Sequence, residues 1–386
     1  MNVAIYHNLP TGGAKRSLEE WLKCLKIDNE IDIYLPNSSK GFDENLETIY
    51  NVFDFNFKRN NKHGIVNKII SIIYLEFLCK KIANIINKKK YDLVFVLQCQ
   101  VTNSPAILRH LKFPTIYFCQ EPVTRIQEPH YSANSNFQRS NLLLSFLKTI
   151  FVGYDSYNAS FSKKILCNSY YSKEAIYKAY NKNASLVYLG VDEIKFRFIK
   201  STPKDLDYVL SVGHLTAAKG HDFIIKSLGL VHSKIRPKLE IIYSGETPKY
   251  KKYLYDLAKK NNVRVKFSKS VSDEELIGKY NNSYLTLCAA RLEPFGLTPL
   301  ESMACGTLVL AVAEAGFRES IINESTGILC ERDEKKFANK IEAILIGRVN
   351  YQSIVNHARR VIAKNWTWKL SAKHILNQME SIREFH

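Results

Sequence analysis

The 386 residues carry 46% hydrophobic and 24% charged side chains, a balance that excludes extended disorder and, at this length, suits two domains of conventional size. The formal charge of +18 raises phosphate-bearing partners: nucleic acid, anionic lipid or nucleotide. Eight cysteines are scattered without a CxxC pair or a Cys/His cluster, which argues against a zinc site or a disulfide framework and for a reducing compartment. The start "MNVAIYHNLPTGG" lacks the charged and apolar parts of a signal peptide, and no apolar run reaches the roughly 20 residues a membrane-spanning helix needs. The chain reads as cytoplasmic.

The first strand candidate is "NVAIYH", residues 2–7, and the loop after it is "HNLPTGGAKRS". Gly12 and Gly13 there allow a backbone to approach a bulky or anionic group, and the helix that follows, "KRSLEEWLKCLK", offers N–H donors at its start. The loop is neither GxGxxG nor a Walker sequence, so a plain strand-to-helix turn is its competing reading. Further strand candidates are 31–36, 92–98, 115–120 and 164–169, apolar on consecutive positions as a covered parallel sheet requires. "SKEAIYKAYNK" reads as a helix with Ser172 as its N-cap.

Residues 58–90 hold nine Lys/Arg and one Glu. Within this stretch Val66, Ile69, Ile70, Ile73 and Phe77 fall at helical spacing between lysines. That is the pattern of a helix lying on an anionic membrane surface; a helix covering the sheet, its lysines solvated, is the alternative. Elsewhere the positive excess is shared: residues 1–200 have a net charge of +10 and the rest +8.

After "RFIKSTPKDLDY", which suits a linker, six more strands are expected at 208–213, 238–245, 263–268, 284–290, 307–312 and 327–331, with helical segments between them. The alternation predicts an α/β chain of two Rossmann-like domains: 1–200, 201–365, and a closing helix at 366–386.

Ligands of doubly wound sheets bind beyond the carboxyl ends of strands, so the loops there hold the candidate residues. "SVGHLTAAKGHDFIIKSL" puts Lys219 at a helix start, where its charge adds to the helix dipole for a diphosphate. In "RLEPFGLTPLESMACGT", Glu293 sits before a Pro-Phe-Gly turn and Glu301 eight positions on, inside a helix whose first turn tolerates Pro299. A carboxylate at 301 suits paired ribose hydroxyls, and one at 293 faces the group beyond the phosphates. The competing reading leaves Glu301 serving the helix dipole and Glu293 solvated.

"EPFGLTPLESMACGTLVLAVAEAGFRESI" with "STGILCERDEKKFANKI" resembles the carboxylate-x7-carboxylate segment of the retaining glycosyltransferases of family four (glycosyl transferases group 1). The likeness extends to "SVGHLTAAKG", "VSDEELIGKYNNSYLTLCA", "NSYYSKEAIYKAY", "LVYLGVDEIKF" and the glycine loop. It covers most of the chain from residue 160 onward and the first 25 residues.

The resemblance implies a GT-B fold: two Rossmann-like domains facing each other across a cleft, the N-terminal one binding acceptor, the C-terminal one binding nucleotide sugar, and a last helix closing back on the first domain. It implies transfer of a hexose from a nucleotide-diphosphate sugar to an acceptor hydroxyl of a lipid-linked or cell-surface glycan precursor, with retention, no metal and no cofactor. Carried over to this sequence, Glu293 contacts the donor sugar, Glu301 binds the ribose, and Lys219 with the amides of Gly296, Leu297 and Thr298 holds the diphosphate. Phe295 belongs to the same donor segment, and Gly12 and Gly13 let donor and acceptor meet.

Two positions depart from the family. His214 stands where Arg is common, leaving Arg291 as a possible substitute charge. Gln120 and Glu121 stand where a histidine is frequent, making Glu121 a candidate catalytic and acceptor contact and His130 its alternative. A sugar-nucleotide epimerase or phosphorylase of the same fold, and a basic nucleic-acid-binding protein, are the rival readings; the evenly split charge argues against the last. The expected partners are therefore a nucleotide sugar, a glycan or lipid-linked acceptor and an anionic membrane surface, not nucleic acid.

Overall fold

The computed structural model describes residues 1–9, 12–27, 29–36, 50–55, 65–122 and 142–383. It comprises two units, Met1–Tyr188 with Ser371–His386, and Leu189–Leu370.

The first unit is built on a seven-stranded parallel sheet in the order β3-β2-β1-β4-β5-β6-β7. Its strands are β1 (Asn2–Asn8), β2 (Glu30–Leu35), β3 (Asn51–Asp54), β4 (Leu93–Cys99), β5 (Thr115–Phe118), β6 (Lys164–Cys167) and β7 (Ala184–Leu186). The central strands are buried along nearly their whole length, as their apolar runs require once both faces are covered. Helices α1 (Gly13–Leu25), α2 (Ile65–Ile86), α3 (Leu142–Ser160) and α4 (Tyr170–Tyr180) supply the cover.

Two local expectations change. Helix α4 is capped by Ser169, whose side chain accepts the Ser172 N–H at 2.9 Å. Ser172 is instead inside the first turn, and its hydroxyl donates to the Gln120 carbonyl at 2.7 Å. The second concerns α2, apolar nearly all round. Leu75, Leu78, Cys79, Ile82, Ala83 and Ile86 enter the core, whereas Ile69, Ile70, Ile73 and Phe77 are exposed. Val66 lies outside the described side chains.

The second unit holds a six-stranded parallel sheet in the order β10-β9-β8-β11-β12-β13. These strands are β8 (Asp205–Val212), β9 (Lys238–Tyr243), β10 (Val265–Lys269), β11 (Ser283–Cys288), β12 (Leu308–Val312) and β13 (Ile328–Cys330). The intervening helices are α5 (His221–Leu230), α6 (Pro248–Lys260), α7 (Asp273–Asn282), α8 (Leu297–Ala304), α9 (Phe317–Ser320), α10 (Glu334–Leu345) and α11 (Tyr351–Asn365).

The boundary falls at 188/189, not at 200/201. Residues 189–200 are woven into the second unit: Val191 donates to the Trp366 carbonyl at 2.8 Å, Ile199 to Asn281 Oδ1 at 2.7 Å, and Phe196 lies edge-on to Tyr280. The last helix, α12 (Trp368–Arg383), returns to the first unit. There Ser371 accepts from Trp21 Nε1 at 2.8 Å and donates to the Tyr188 carbonyl at 2.6 Å, and Lys164 donates to Ser381 at 2.8 Å.

Candidate active site

Counting strands from β8, the second sheet has the order 3-2-1-4-5-6, so the chain reverses its direction of winding between β8 and β11. Helices on either side of such a switch point diverge and leave a crevice at the strands' carboxyl ends. A cavity of about 50 Å³ opens there, lined by Ser211 and Val212 from β8, Leu287 and Cys288 from β11, Ala289 and Ala290 just after it, and Lys219, Glu293, Gly296, Leu297, Thr298 and Phe317. Pockets that enclose a drug-sized ligand run to several hundred Å³. This one is the floor of a site, sized for a small charged group.

Lys219 reaches the floor from a tight turn, Ala217–Lys219, ended by Gly220 at φ 68°. A Cβ on Gly220 would run into the carbonyl oxygen of Ala289. Only glycine permits both this backbone conformation and this closeness. The Arg291 N–H donates to the Ala218 carbonyl at 2.7 Å, stitching the turn to the end of β11.

Glu293 lies on the facing loop, between β11 and α8. Its carbonyl accepts the Gly316 N–H at 2.9 Å. Lys219 Nζ and Glu293 Oε2 are 2.6 Å apart, so the cavity brings together a cation and an anion from residues 74 positions apart. Gly296, φ 90°, is the N-cap of α8 and, being glycine, offers no side chain to cap the first-turn N–H groups. Those N–H groups and Lys219 together favour an anion at the cavity floor.

Two neighbours are held neutral. Burial, with the Glu293 carboxylate as a lesser cause, pushes the Cys288 thiol well above its ordinary range, so this lining residue is no thiolate nucleophile. His221 is buried, and desolvation lowers its pKa to about 4. Its Nε2 faces the carbonyls of Gly213 and His214, both at 3.3 Å, and must therefore carry the proton, leaving Nδ1 to accept from Ser211 Oγ at 3.1 Å. His221 thus pins the β8 loop.

Of the residues singled out in the sequence, Lys219, Glu293, Gly296, Leu297 and Thr298 meet at this cavity. Glu301 does not line it; it is buried in α8, where Oε2 accepts from Tyr280 at 2.9 Å. His214 does not line it either; its Nε2 is 3.4 Å from Ser244 Oγ, and its pKa is lowered by burial and by the Lys219 charge. At neutral pH it does not replace an arginine's charge. Phe295 packs against Trp366 in the core. The Arg291 charge acts on Glu314.

In the first unit, Gly12 (φ 128°) caps α1 and Gly13 opens it. The Glu121 carbonyl accepts from Gln98 Nε2 at 2.6 Å and Asn103 Nδ2 at 2.7 Å, which fixes the backbone after β5. His130 lies outside the described residues. Among the described residues no group of three His, Cys, Asp or Glu side chains is gathered as a metal site would need.

Sequence reasoning missed Ser211, His221, Phe317 and the Arg332–Glu314 pair described below. His221 stood two residues beyond Lys219, but nothing in "KGHDF" tells a buried neutral imidazole from an exposed one.

A parallel sheet of this order is of the doubly wound, Rossmann-like class, which takes its ligands in the crevice at the switch point. Residues 192–361 match the family model of glycosyl transferases group 1. An uncharacterized glycosyltransferase of Methanocaldococcus jannaschii is 29% identical over 189 residues, 48% of each chain. The chain spans about half the length of the curated relatives it matches. Among solved structures, sucrose-phosphate synthase from Thermosynechococcus elongatus superposes with a TM-score of 0.80 at 15% identity over 100% of both chains. Anabaena HepE in complex with UDP-glucose does so with a TM-score of 0.72 at 16% identity, covering 99% of this chain and 100% of that one. At these identities they establish the GT-B fold, as the family resemblance implied.

Proposed function

We propose that the protein transfers a hexose from a nucleotide-diphosphate sugar to an acceptor hydroxyl, with retention at the anomeric carbon and without a metal or other cofactor. The observation that carries this reading is the cavity at the switch point, where Lys219 and the first turn of α8 stand opposite Glu293. A leaving diphosphate needs its growing charge met by fixed positive groups, and a lysine with helix-start amides supplies what a divalent ion supplies elsewhere. When the diphosphate takes Lys219, Glu293 is released to the hydroxyls of the transferred sugar. Glu301, one turn into the same helix, is the ribose contact, with Tyr280 fixing one of its oxygens.

The diphosphate itself accepts the proton of the incoming hydroxyl as the glycosidic bond loosens, so the protein's part is positioning and charge stabilisation. Gly12 and Gly13 of the first unit are assigned to the donor phosphate, and Glu121 to the acceptor. The solved HepE complex with UDP-glucose makes that the first donor to try. Thermal shifts across UDP-, GDP-, ADP- and CMP-sugars identify the donor, since a ligand of the folded state raises its melting point. Nucleotide release with that donor should then persist in EDTA. Dependence on an added divalent ion would overturn the metal-free reading, and no shift with any nucleotide sugar would overturn the donor site.

A lipid-linked acceptor at the inner face of a membrane fits one surface of the first unit. No described helix is long and apolar enough to cross a membrane. Yet α2 exposes Ile69, Ile70, Ile73 and Phe77, the last 69% exposed, and continues into exposed Lys80, Lys81 and Lys88. An apolar strip running into lysines complements anionic headgroups. Sedimentation with phosphatidylglycerol vesicles should be lost in Phe77→Ser/Ile73→Ser; equal binding by that variant would remove α2 from the role.

A further inference from the structure

The acid loop is held from behind by residues that never reach the cavity. Arg332, just past β13, donates from Nε to Glu314 Oε1 at 2.6 Å and from Nη2 to Glu314 Oε2 at 2.7 Å. The same guanidinium donates from Nη1 to the Ala289 carbonyl and from Nη2 to the Ala290 carbonyl, each at 3.0 Å. Four bonds thus converge from one planar fork, a geometry that lysine cannot reproduce. The fork lies over the Phe223 ring, 5.3 Å from its centroid, which fixes its plane.

Glu314 passes the constraint on. Its Oε2 accepts the Leu292 N–H at 3.4 Å, and two residues later Gly316 donates to the Glu293 carbonyl at 2.9 Å. Leu292 is at φ 48° and Ala315 at φ 44°, conformations that non-glycine residues adopt only when their surroundings impose them. Both strained residues are therefore held within one network whose centre is the Arg332–Glu314 pair. The two residues after β11, Ala289 and Ala290, and the backbone just before Glu293 are thus tied directly to the pair.

We infer that Arg332 and Glu314 are positioning residues, which set where the Glu293 carboxylate stands relative to Lys219 and the start of α8. This rests on the donor-site reading above. Sub-ångström placement of a reacting contact is worth one to two orders of magnitude in rate, and diphosphate binding by Lys219 and α8 does not depend on it. So kcat, not the donor KM, should respond.

The test compares the full-length protein with Arg332→Lys and Glu314→Gln, alone and combined with Glu293→Gln. Amide exchange read by mass spectrometry needs no donor: it should rise in peptides covering 289–297 and stay unchanged in β9 and β10. With the donor from the thermal-shift screen, kcat should fall about tenfold or more with KM within about threefold. In the Glu293→Gln background the same change should cost nothing further. Unchanged exchange in 289–297 overturns the inference, as does a loss that multiplies with Glu293→Gln, since Arg332 would then act by another route. Wild-type turnover in Glu293→Gln alone would sink the donor-site reading while leaving the exchange result to judge the clamp.

Discussion

Lys219 Nζ stands 2.6 Å from Glu293 Oε2 across the cavity floor. Without a ligand each neutralises the other, so the site keeps a cation ready without leaving it unbalanced. The side chains are 32% and 19% exposed, wet enough that the pair adds little stability and can exchange partners. Lys219→Met should raise the donor KM by about 30- to 100-fold, the value of a charge-assisted bond to phosphate. Glu293→Gln should lower kcat by about 100-fold or more with the melting temperature unchanged. Steady-state nucleotide release checks both; a KM effect at Glu293 and a kcat effect at Lys219 would reverse the roles.

Glu301 faces a different test because it is buried and its Oε2 accepts from Tyr280. Tyr280→Phe removes a donor from a largely buried carboxylate, which costs about 1–3 kcal/mol. Donor affinity should fall in parallel, since the carboxylate assigned to the ribose loses its brace. A variant as unstable as expected but with wild-type donor KM would make Glu301 a structural acid only.

The Lys219 turn depends on Gly220. Alanine there meets both an unfavourable φ of 68° and the Ala289 carbonyl, whereas Gly347, at φ 75°, has nothing within 4 Å of a Cβ. Gly347→Ala should cost about 1 kcal/mol, the backbone term alone. Gly220→Ala should cost well over 2 kcal/mol and also lower turnover, because relieving the clash moves the turn that carries Lys219. Urea melts that place both variants within error of each other would show that the close approach to Ala289 is not a constraint.

The second unit was legible because its strands are short apolar-rich segments, the unbroken run of β12 (LVLAV) the clearest and the mixed β10 (VKFSK) the weakest, and its site residues follow the two strands at the switch point. Lys219 and Glu293–Thr298 could be found by asking what lies beyond those strand ends. Two strands of the first unit were missed. β3 is "NVFD", with no fully buried residue, and β7 is three residues long; both are sheet edges, where no continuous apolar run is needed. For α2 the spacing marked the side of Ile69, Ile70, Ile73 and Phe77, which is exposed, but not the core side of Leu75, Leu78, Ile82 and Ile86, since a helix apolar nearly all round has no single period. Arg332 and Glu314 lie 39 and 21 positions beyond Glu293, and neither has a neighbour that marks it as part of the loop. Their role is a tertiary contact, outside the reach of spacing.

His221 supplies a pH signature. Its ordinary pKa of 6.5 is lowered to about 4 by desolvation. Between pH 6.5 and 4 the unfolded chain therefore takes up a proton that the folded chain refuses, and stability is lost as pH falls through that window. Two and a half units correspond to about 3 kcal/mol, complete only below the folded value. His221→Gln keeps a donor for the Gly213 and His214 carbonyls and an acceptor for Ser211, so it should fold, somewhat less stably at pH 7.5. Its loss of stability from pH 6.5 to 4.5 should be smaller than the wild type's by about 2 kcal/mol. Urea melts at the two pH values give that difference directly. Parallel losses in the two proteins would mean that the imidazole is protonated at its ordinary pH, and that the loop after β8 is looser than its hydrogen bonds indicate.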